Sequence, residues 1–362
     1  MATSRTTSTR RSGFALAAVL ILAIALLVAQ SRPERQADAT APVGAAATAP
    51  DSRGSSRKLI ENVRTVVITY RSHTGARRSA IVVLPEWYGR GNNPRLPLVV
   101  SPHGRGATGR SNADFFGRLP AVGRFAVISP DGMGERLKNF SYGAPGQIDD
   151  LARMPEIATA ALPWLRIDRS RVYALGSSMG GQETLLLVAR HPGRLAGAAA
   201  LDSVTDLARR HGQMQDLPCS TRCLARWGKP YGTVLQSTLS HEVGGSPDQV
   251  LQAYAARSGL SQAGAIARSR VPLQIWWSTE DRIVSDQQHQ SKALFDRLRS
   301  LDGCAPVSAY VGDWAHSTEM RASALLPIAL SGFGLLPGDV KALPDSVRHL
   351  PAPGCAETEG TL

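Results

Sequence analysis

The chain has 362 residues, of which 43% are hydrophobic and 19% are charged, a balance typical of a globular protein with a large core. Its formal net charge is +12, but only five of the 41 basic residues are lysines and the basic pairs are scattered along the sequence. Nucleic-acid binding as the main function is disfavoured, because such surfaces cluster their cations and interleave aromatic residues. The charge is therefore expected to be solvated, with no nucleic-acid partner.

The N-terminal segment predicts export. Arg5, Arg10 and Arg11 precede an apolar run over residues 14–29, with no acidic residue before it. This run is shorter than the 20 or so residues of a bilayer span and lies at the upper limit for the core of a signal peptide. Residues 1–29 are thus predicted to be a signal peptide or a retained membrane anchor. Either way, the remainder is secreted or held at the membrane by this segment alone.

The next part of the chain changes composition. Residues 30–58 contain mostly Ala, Pro, Ser, Thr, Arg and Asp, and they cannot bury enough apolar surface to offset the chain entropy of folding. We expect a disordered linker there. Alternating strand-like and helix-like segments then predict a single folded domain over residues 59–340, followed by a C-terminal tail over 341–362.

Eight segments have the apolar runs of buried strands, and most of the later ones are separated by helical patterns. This alternation predicts an α/β protein with a mostly parallel central sheet of about eight strands and helices on both faces. The first two segments are close together, which favours an antiparallel start of the sheet. The predicted strands are 65–70, 79–84, 96–101, 125–129, 171–175, 196–201, 273–277 and 307–311.

Chemically active residues follow several of these strands. Residues 176–181 read GSSMGG between a strand-like and a helix-like run, and G-x-S-x-G in this setting predicts a nucleophile elbow with Ser178 exposed on a sharp turn. Asp281 follows the seventh strand and His316 follows the eighth. The carboxyl ends of parallel strands meet at one edge of a sheet, so we expect these residues to lie close together.

The order serine, acid, histidine predicts a catalytic triad. The hydroxyl of Ser178 is a weak nucleophile and needs an imidazole to accept its proton, a role that we assign to His316. A carboxylate must hold that imidazole in the correct tautomer, and Asp281 is the first candidate. Asp202, after the sixth strand, and Glu280 remain alternative acids.

An acyl intermediate also needs two hydrogen-bond donors for its oxyanion. The backbone N–H of Met179, at the start of the predicted helix, is one donor, and the second comes from Arg105 or Gly106 in the loop after the third strand. Residues 104–109 also match the dinucleotide-binding pattern G-x-G-x-x-G, but they do not follow the first strand and that interpretation leaves the elbow unexplained. No cofactor and no metal is therefore expected.

Between residues 205 and 269 the pattern loosens into short helical pieces rich in Gly, Ser and Gln. We expect this insertion to form a cap over the carboxyl edge of the sheet. Such a cap would determine the substrate specificity.

The four cysteines are Cys219, Cys223, Cys304 and Cys355. An even number in an exported chain favours disulfides, with three possible connectivities. The short spacing of Cys219 and Cys223 can close a local loop, which would leave Cys304 to pair with Cys355 in the tail.

The sequence resembles the α/β-hydrolase superfamily over residues 63–336. GSSMGG with its doubled glycine, AALDSVTDL at 199–207 and IWWSTEDRIV at 275–284 are similar to stand-alone serine esterases and to catalytic domains of the prolyl oligopeptidase family. The resemblance implies the triad Ser178, Asp281 and His316. Prolyl oligopeptidases carry a β-propeller before this domain, whereas only a short segment and two predicted strands precede it here.

Three functions follow as expectations. The first is an exported serine esterase that acts on small-molecule or polymeric esters. The second is a serine peptidase that acts on small peptides, and it is disfavoured because the propeller admits the peptides in that family. The third is a non-catalytic binding domain at the cell surface, against which the complete triad argues.

Overall fold

The computed structural model describes residues 62–132, 140–337 and 341–354. Internal contacts divide the chain into the units Met1–Arg57 and Lys58–Leu362, and all described residues belong to the second. The predictions for the N-terminal segment and the linker lie outside the described residues. Within the described ranges, no helix combines the length and the hydropathy that crossing a membrane requires.

A single twisted sheet is the centre of the described domain, with strand order β1-β2-β4-β3-β5-β6-β7-β8-β9. All eight predicted strands are present. The strands are β1 (Val63–Arg71), β2 (Arg77–Pro85), β3 (Leu96–Val100), β4 (Ala126–Pro130), β5 (Ile167–Ser177), β6 (Gly197–Leu201), β7 (Leu273–Ser278), β8 (Val307–Gly312) and β9 (Arg348–Leu350).

The sheet is parallel from β3 to β8, as the strand and helix alternation predicts. Strands β1 and β2 pair antiparallel and β2 joins β4 antiparallel, which confirms the antiparallel start. The prediction of about eight strands misses β9, which pairs antiparallel with β8 at the edge. This strand has three residues, two of them polar and exposed, so it lacks the apolar run of a buried strand.

Twelve α-helices occur among the described residues. They are α1 (Gly109–Ala113), α2 (Leu119–Gly123), α3 (Pro145–Ala152), α4 (Met154–Ala161), α5 (Met179–Arg190), α6 (Leu207–Gln213), α7 (Thr221–Trp227), α8 (Tyr231–Val243), α9 (Pro247–Ala255), α10 (Ala263–Ser269), α11 (Ser291–Leu301) and α12 (Leu326–Ser331).

Helices cover both faces of the sheet, which explains the continuous apolar strands. In β3, Leu98 and Val100 pack into one core with α3, α4, α5, α10 and α11, whereas Val99 faces a second core with α1, α2 and α12. Strand β7 divides in the same way, because Trp277 belongs to the first core and Trp276 to the second. Alternate side chains of each strand are thus buried on opposite faces of the sheet.

Helices α6, α8 and α9, here called the cap helices, surround a third and smaller core. This core includes Leu207, Leu235 and Tyr254 from the insertion, and it also takes in Met179 and Val284. Because Met179 follows β5 and Val284 follows β7, the cap helices lie over the carboxyl ends of these strands. Helix α10 packs instead in the first core, against the sheet.

Cys219 and Cys223 form a disulfide that joins the start of α7 to the turn before it, as the spacing predicts. Cys304, in the turn before β8, is also disulfide-bonded. Its predicted partner, Cys355, lies outside the described residues.

Candidate active site

Ser178 lies between the end of β5 and the start of α5, in the geometry of a nucleophile elbow. Its φ of 59° and ψ of −123° are unfavourable for a residue with a Cβ atom. The surroundings hold this conformation: the Ser178 N–H donates to the Leu201 carbonyl at 2.9 Å, and the Ser178 carbonyl accepts from the Gln182 N–H at 3.0 Å. The strained turn lifts the side chain at the carboxyl edge of the sheet.

The three glycines of GSSMGG are required by close backbone approaches. A Cβ atom at Gly176 would overlap the backbone of Gly180, four residues on. A Cβ atom at Gly180 would overlap the carbonyl of Pro102, and one at Gly181 would overlap the hydroxyl of Ser203. The doubled glycine therefore lets α5 pass between the ends of β3 and β6 and keeps the elbow tight.

His316 and Asp281 form a buried hydrogen bond of 2.8 Å between Nδ1 and Oδ2. The carboxylate is an acceptor, so Nδ1 carries the proton and Nε2 is left bare to act as a base. Asp281 also accepts from the backbone N–H groups of Ile283 at 2.8 Å and Val284 at 2.9 Å, and from the Gln287 amide at 3.1 Å. Its side chain is completely buried, whereas that of His316 is 15% exposed.

The segments that carry the predicted triad residues meet at one edge of the sheet. Asp281 contacts His316 directly, and the hydroxyls of Ser177 and Ser317 are hydrogen-bonded, which places the segments of Ser178 and His316 side by side. The carboxyl ends of β5, β7 and β8 thus contribute one group each, as the parallel topology requires.

The two alternative acids have other surroundings. Glu280 is exposed. Asp202 is completely buried at the end of β6, where it accepts from the Trp314 indole N–H at 3.0 Å and from the Ser317 N–H at 2.9 Å. Asp202 therefore fixes the loop that carries His316, while the imidazole itself is hydrogen-bonded to Asp281.

The sequence analysis missed Glu319, which is 1% exposed and lies next to Asp202. Burial and the nearby Asp202 charge raise the pKa of Glu319 well above its usual range. Because Asp202 already accepts from several N–H donors, Glu319 is the member of the pair that keeps a proton. No local pattern could have shown this, since the contact depends on the approach of β6 to the loop after β8.

The loop after β3 is held by His103, which is 2% exposed. Its Nδ1–H donates to the Gly104 carbonyl at 2.8 Å, and its Nε2 accepts from the Gly132 N–H at 2.7 Å. Both partners require the neutral ring, and burial lowers the pKa of His103 in agreement with this. His103 is therefore a structural residue that fixes the predicted oxyanion loop.

Of the three residues predicted for the oxyanion hole, two line the cavity that contains Ser178 and the third does not. Met179 and Arg105 both line the cavity that contains Ser178. A Cβ atom at Gly104 would lie 3.6 Å from the Ser178 Cβ, so this loop passes directly against the nucleophile. Gly106 has φ +74° and faces Phe140 rather than this cavity.

This space is here called the Ser178 cavity; about 320 Å³ is free of protein atoms, including the part that is open to solvent. Among the described residues, two arginines and no acidic residue line it. Its walls are Arg105, Tyr142, Ser178, Met179, Gln182, Val204, Leu207, Arg210, Met214, Ile283 and Val284.

Within the described ranges, Asp202, Asp281 and His316 have ligand atoms within 4.8 Å of one another, as in some metal sites. Their lone pairs are already engaged, however. Both oxygens of Asp281 accept hydrogen bonds, and Asp202 accepts from the N–H groups of Ser278, Trp314 and Ser317. The group is therefore suited to orienting an imidazole rather than to binding a cation.

No protein-family model and no curated protein matches the sequence. Several solved structures are similar to this chain, at 14% to 18% identity. The fluorophosphonate-binding serine hydrolase F of Staphylococcus aureus has a TM-score of 0.53 and 17% identity, over 75% of this chain and 98% of that one. A ferulic acid esterase has a TM-score of 0.51 and 18% identity, over 76% and 99%.

The third similar structure is the acylaminoacyl peptidase of Pyrococcus horikoshii, with a TM-score of 0.57 and 14% identity, over 79% of this chain and 44% of the peptidase. At these identities, the three likenesses concern the fold alone. Together with the strand order and the elbow, these similarities confirm the predicted fold. The chain is an α/β-hydrolase in fold.

Proposed function

We propose that this protein is an exported serine esterase that cleaves carboxylic esters through an acyl-enzyme on Ser178. The observation that carries the proposal is the buried hydrogen bond between His316 and Asp281 beside a serine held at positive φ on a strand-to-helix turn. This combination supplies a nucleophile, a base with a bare Nε2 and a group that orients the base.

In the proposed reaction, Ser178 Oγ attacks the ester carbonyl carbon and its proton passes to His316 Nε2. The carbonyl oxygen becomes an oxyanion, for which the proposal assigns the N–H groups of Met179 and Arg105 as donors. When the C–O bond breaks, the alcohol leaves with the proton from His316. Water then attacks the acyl group with His316 as base, which releases the acid and restores Ser178.

The rank of esterase above peptidase is supported by the similar structures. This chain spans nearly all of the staphylococcal serine hydrolase and of the ferulic acid esterase, but less than half of the acylaminoacyl peptidase. The alcohol of an ester is also a better leaving group than the amine of a peptide bond, so ester cleavage demands less of the general acid. A peptidase remains the second candidate, because the acylaminoacyl peptidase has the same fold.

The test is labelling by a fluorophosphonate probe, together with turnover of p-nitrophenyl acetate and of an aminoacyl p-nitroanilide. Ser178→Ala is expected to abolish labelling and to lower ester turnover by at least about 10³-fold. Ser170→Ala is the matched control, because Ser170 is an exposed serine at the other end of β5.

Equal labelling of wild type and Ser178→Ala would exclude Ser178 as the nucleophile. Faster turnover of the anilide than of the ester would reverse the order of the first two candidates. A wild-type protein that is neither labelled nor active on either substrate would support a non-catalytic binding domain at the cell surface.

Export is part of the proposal and has separate support. The basic N-terminus followed by an apolar run is typical of an exported chain, and the disulfide between Cys219 and Cys223 is typical of an oxidising compartment. Fractionation of the producing cells and mass spectrometry of the N-terminus test it. A reduced, uncleaved chain in the cytoplasmic fraction would contradict it.

A further inference from the structure

Arg210 is a buried cation in the Ser178 cavity, and it has no ion-pair partner among the described residues. It lies on α6, is 2% exposed, and its Nη1 has no hydrogen-bond partner among the described residues. A buried charge without a partner is strongly unfavourable, and burial lowers the pKa of Arg210 to about 10. A position of this kind indicates a group that is completed by a ligand.

The preceding residue, Arg209, lies on the same helix and has an ion-pair partner. Arg209 binds the Asp286 carboxylate through two nitrogens, Nε at 3.0 Å and Nη2 at 2.5 Å. It is also partly exposed, so water completes its solvation. The two adjacent arginines therefore differ in their surroundings, although the sequence does not distinguish them.

A second cation faces the same space. Arg105 also lines the Ser178 cavity, and its charge contributes to the lowered pKa of Arg210. Two guanidinium groups that repel each other, with no carboxylate among the described wall residues, favour the entry of an anion. The Asp281 carboxylate acts on Arg210 electrostatically, but its oxygens are occupied by His316 and by backbone N–H groups.

One further polar atom of the wall, Gln182 Oε1, has no hydrogen-bond partner among the described residues. The Tyr142 hydroxyl lies next to the Arg105 side chain and interacts with it. Tyr142 also has a φ of 46°, a conformation that strains a residue with a Cβ atom. Buried polar atoms without partners are rare, so their presence in one cavity points to a polar ligand.

The remainder of the wall is apolar, with Val204, Leu207 and Val284 opposite the cations. We propose that the Ser178 cavity binds a carboxylate of the substrate through Arg210 and Arg105, so that the enzyme prefers esters that carry an anionic group close to the scissile bond. This inference rests on the proposed esterase function, because Ser178 supplies the reaction. It adds the chemical class of the substrate, which the fold does not give.

The test compares two matched pairs of esters. One pair is 4-acetoxybenzoate and its methyl ester, with the anion on the leaving group. The other is the p-nitrophenyl monoester of adipate and its methyl ester, with the anion on the acyl group. The wild type is expected to have at least a tenfold higher kcat/KM for the anionic member of one pair.

Arg210→Met is expected to lower this ratio of kcat/KM values at least tenfold, whereas Arg210→Lys retains most of it. Arg209→Met is the matched control, and its ratio is expected to stay within twofold of wild type. Absence of any preference in the wild type would overturn the proposal. If Arg210→Met lowers kcat/KM equally for the anionic and the neutral ester of a pair, the proposal is also overturned. The charge would then act on the oxyanion or on the fold.

Inhibition of the wild type provides a test that needs no variant. Adipate is expected to inhibit turnover of the neutral methyl ester competitively, whereas adipamide and inorganic phosphate do not. Inhibition by phosphate alone would overturn the choice of a carboxylate, and equal inhibition by adipamide would overturn the role of charge.

Failure of the esterase proposal is distinguishable from failure of the carboxylate site. A protein that turns over neutral esters through Ser178 without preferring anions contradicts the carboxylate site alone. A protein that turns over no ester contradicts the esterase proposal, and the site is then tested by the melting temperature. Adipate is expected to raise the Tm of the wild type and not that of Arg210→Met; no rise in the wild type overturns the site.

Discussion

The two buried aspartates at the ends of β6 and β7 have different partners, and this difference separates their roles. Asp281 binds the Nδ1–H of His316, whereas Asp202 binds the backbone and the indole of the loop that carries His316. The buried Glu319 lies next to Asp202. Asp281 thus selects the tautomer of the base, and Asp202 with Glu319 fixes the position of its loop.

We therefore expect Asp281→Asn to lower kcat for p-nitrophenyl acetate by about 10³- to 10⁴-fold with little effect on stability, because the amide favours the wrong imidazole tautomer. Asp202→Asn is the comparison. It is expected to lower the free energy of unfolding and to reduce kcat by roughly 10-fold, since the loop loses a hydrogen-bond acceptor for the N–H groups of Trp314 and Ser317. A larger loss of kcat in Asp202→Asn than in Asp281→Asn would reverse the assignment.

At the scale of single elements, the turn from β5 to α5 requires glycines at positions where a Cβ atom would overlap neighbouring atoms. Gly180 approaches the carbonyl of Pro102, which directly precedes the His103 loop. A methyl group there cannot be accommodated by a flexible side chain, because its neighbours are backbone atoms. The position of α5 and the position of the oxyanion loop are therefore coupled.

Gly180→Ala is expected to destabilise the protein by about 1–3 kcal/mol and to lower kcat, since the oxyanion loop must shift away from the added methyl group. Gly193→Ala, in the turn after α5, is the control, because its added Cβ meets nothing within 4 Å. Its effect is expected to stay within about 0.5 kcal/mol. Urea unfolding and esterase kinetics measure both quantities, and equal effects of the two substitutions would contradict the coupling.

The elements also show which parts of the structure the sequence could predict. Strands buried on both faces have continuous apolar runs, so β2, β3, β4, β6 and β7 are recognisable without tertiary information. The elbow is also recognisable from its own residues, since only glycine fits where its backbone passes close to neighbouring atoms. In contrast, β9 is short, polar and held only by pairing with β8, so nothing in its own residues marks it as a strand.

The same reasoning explains what the sequence could not show in the candidate site. Ser178, Asp281 and His316 follow recognisable strands, so their convergence follows from a parallel sheet. Glu319 and Arg210 lie in segments without periodic patterns, and their surroundings depend on contacts with distant residues. Arg209 and Arg210 are adjacent and alike in sequence, and only the packing of α6 leaves one paired and the other unpaired.

At the scale of the whole molecule, the active edge of the sheet contains several buried acids whose ionisation opposes folding. Besides Glu319 and Asp202, Glu183 is completely buried on α5, where the Ser141 hydroxyl donates to it. Burial raises the pKa of Glu183 to about 7, whereas an unfolded glutamate has a pKa of about 4.5. The stability of the domain is therefore linked to pH through these groups.

The sign of this linkage follows from where the proton is held. Below pH 4.5 both states bind it, whereas between pH 4.5 and 7 the unfolded state loses it and the folded state keeps it. The free energy of unfolding therefore falls through this window, by about 3 kcal/mol for Glu183, and is level above pH 7. Glu183→Gln is expected to remove this part of the decline, so that its stability relative to wild type increases from pH 4.5 to pH 8.

Urea unfolding of both proteins at pH 4.5, 6 and 8 measures the difference. Glu280→Gln is the control, since Glu280 is exposed and its substitution is expected to leave the pH dependence of wild type unchanged. A constant stability difference between Glu183→Gln and wild type across this range would show that Glu183 ionises normally in the folded state. The free energy of unfolding would then not depend on pH through Glu183.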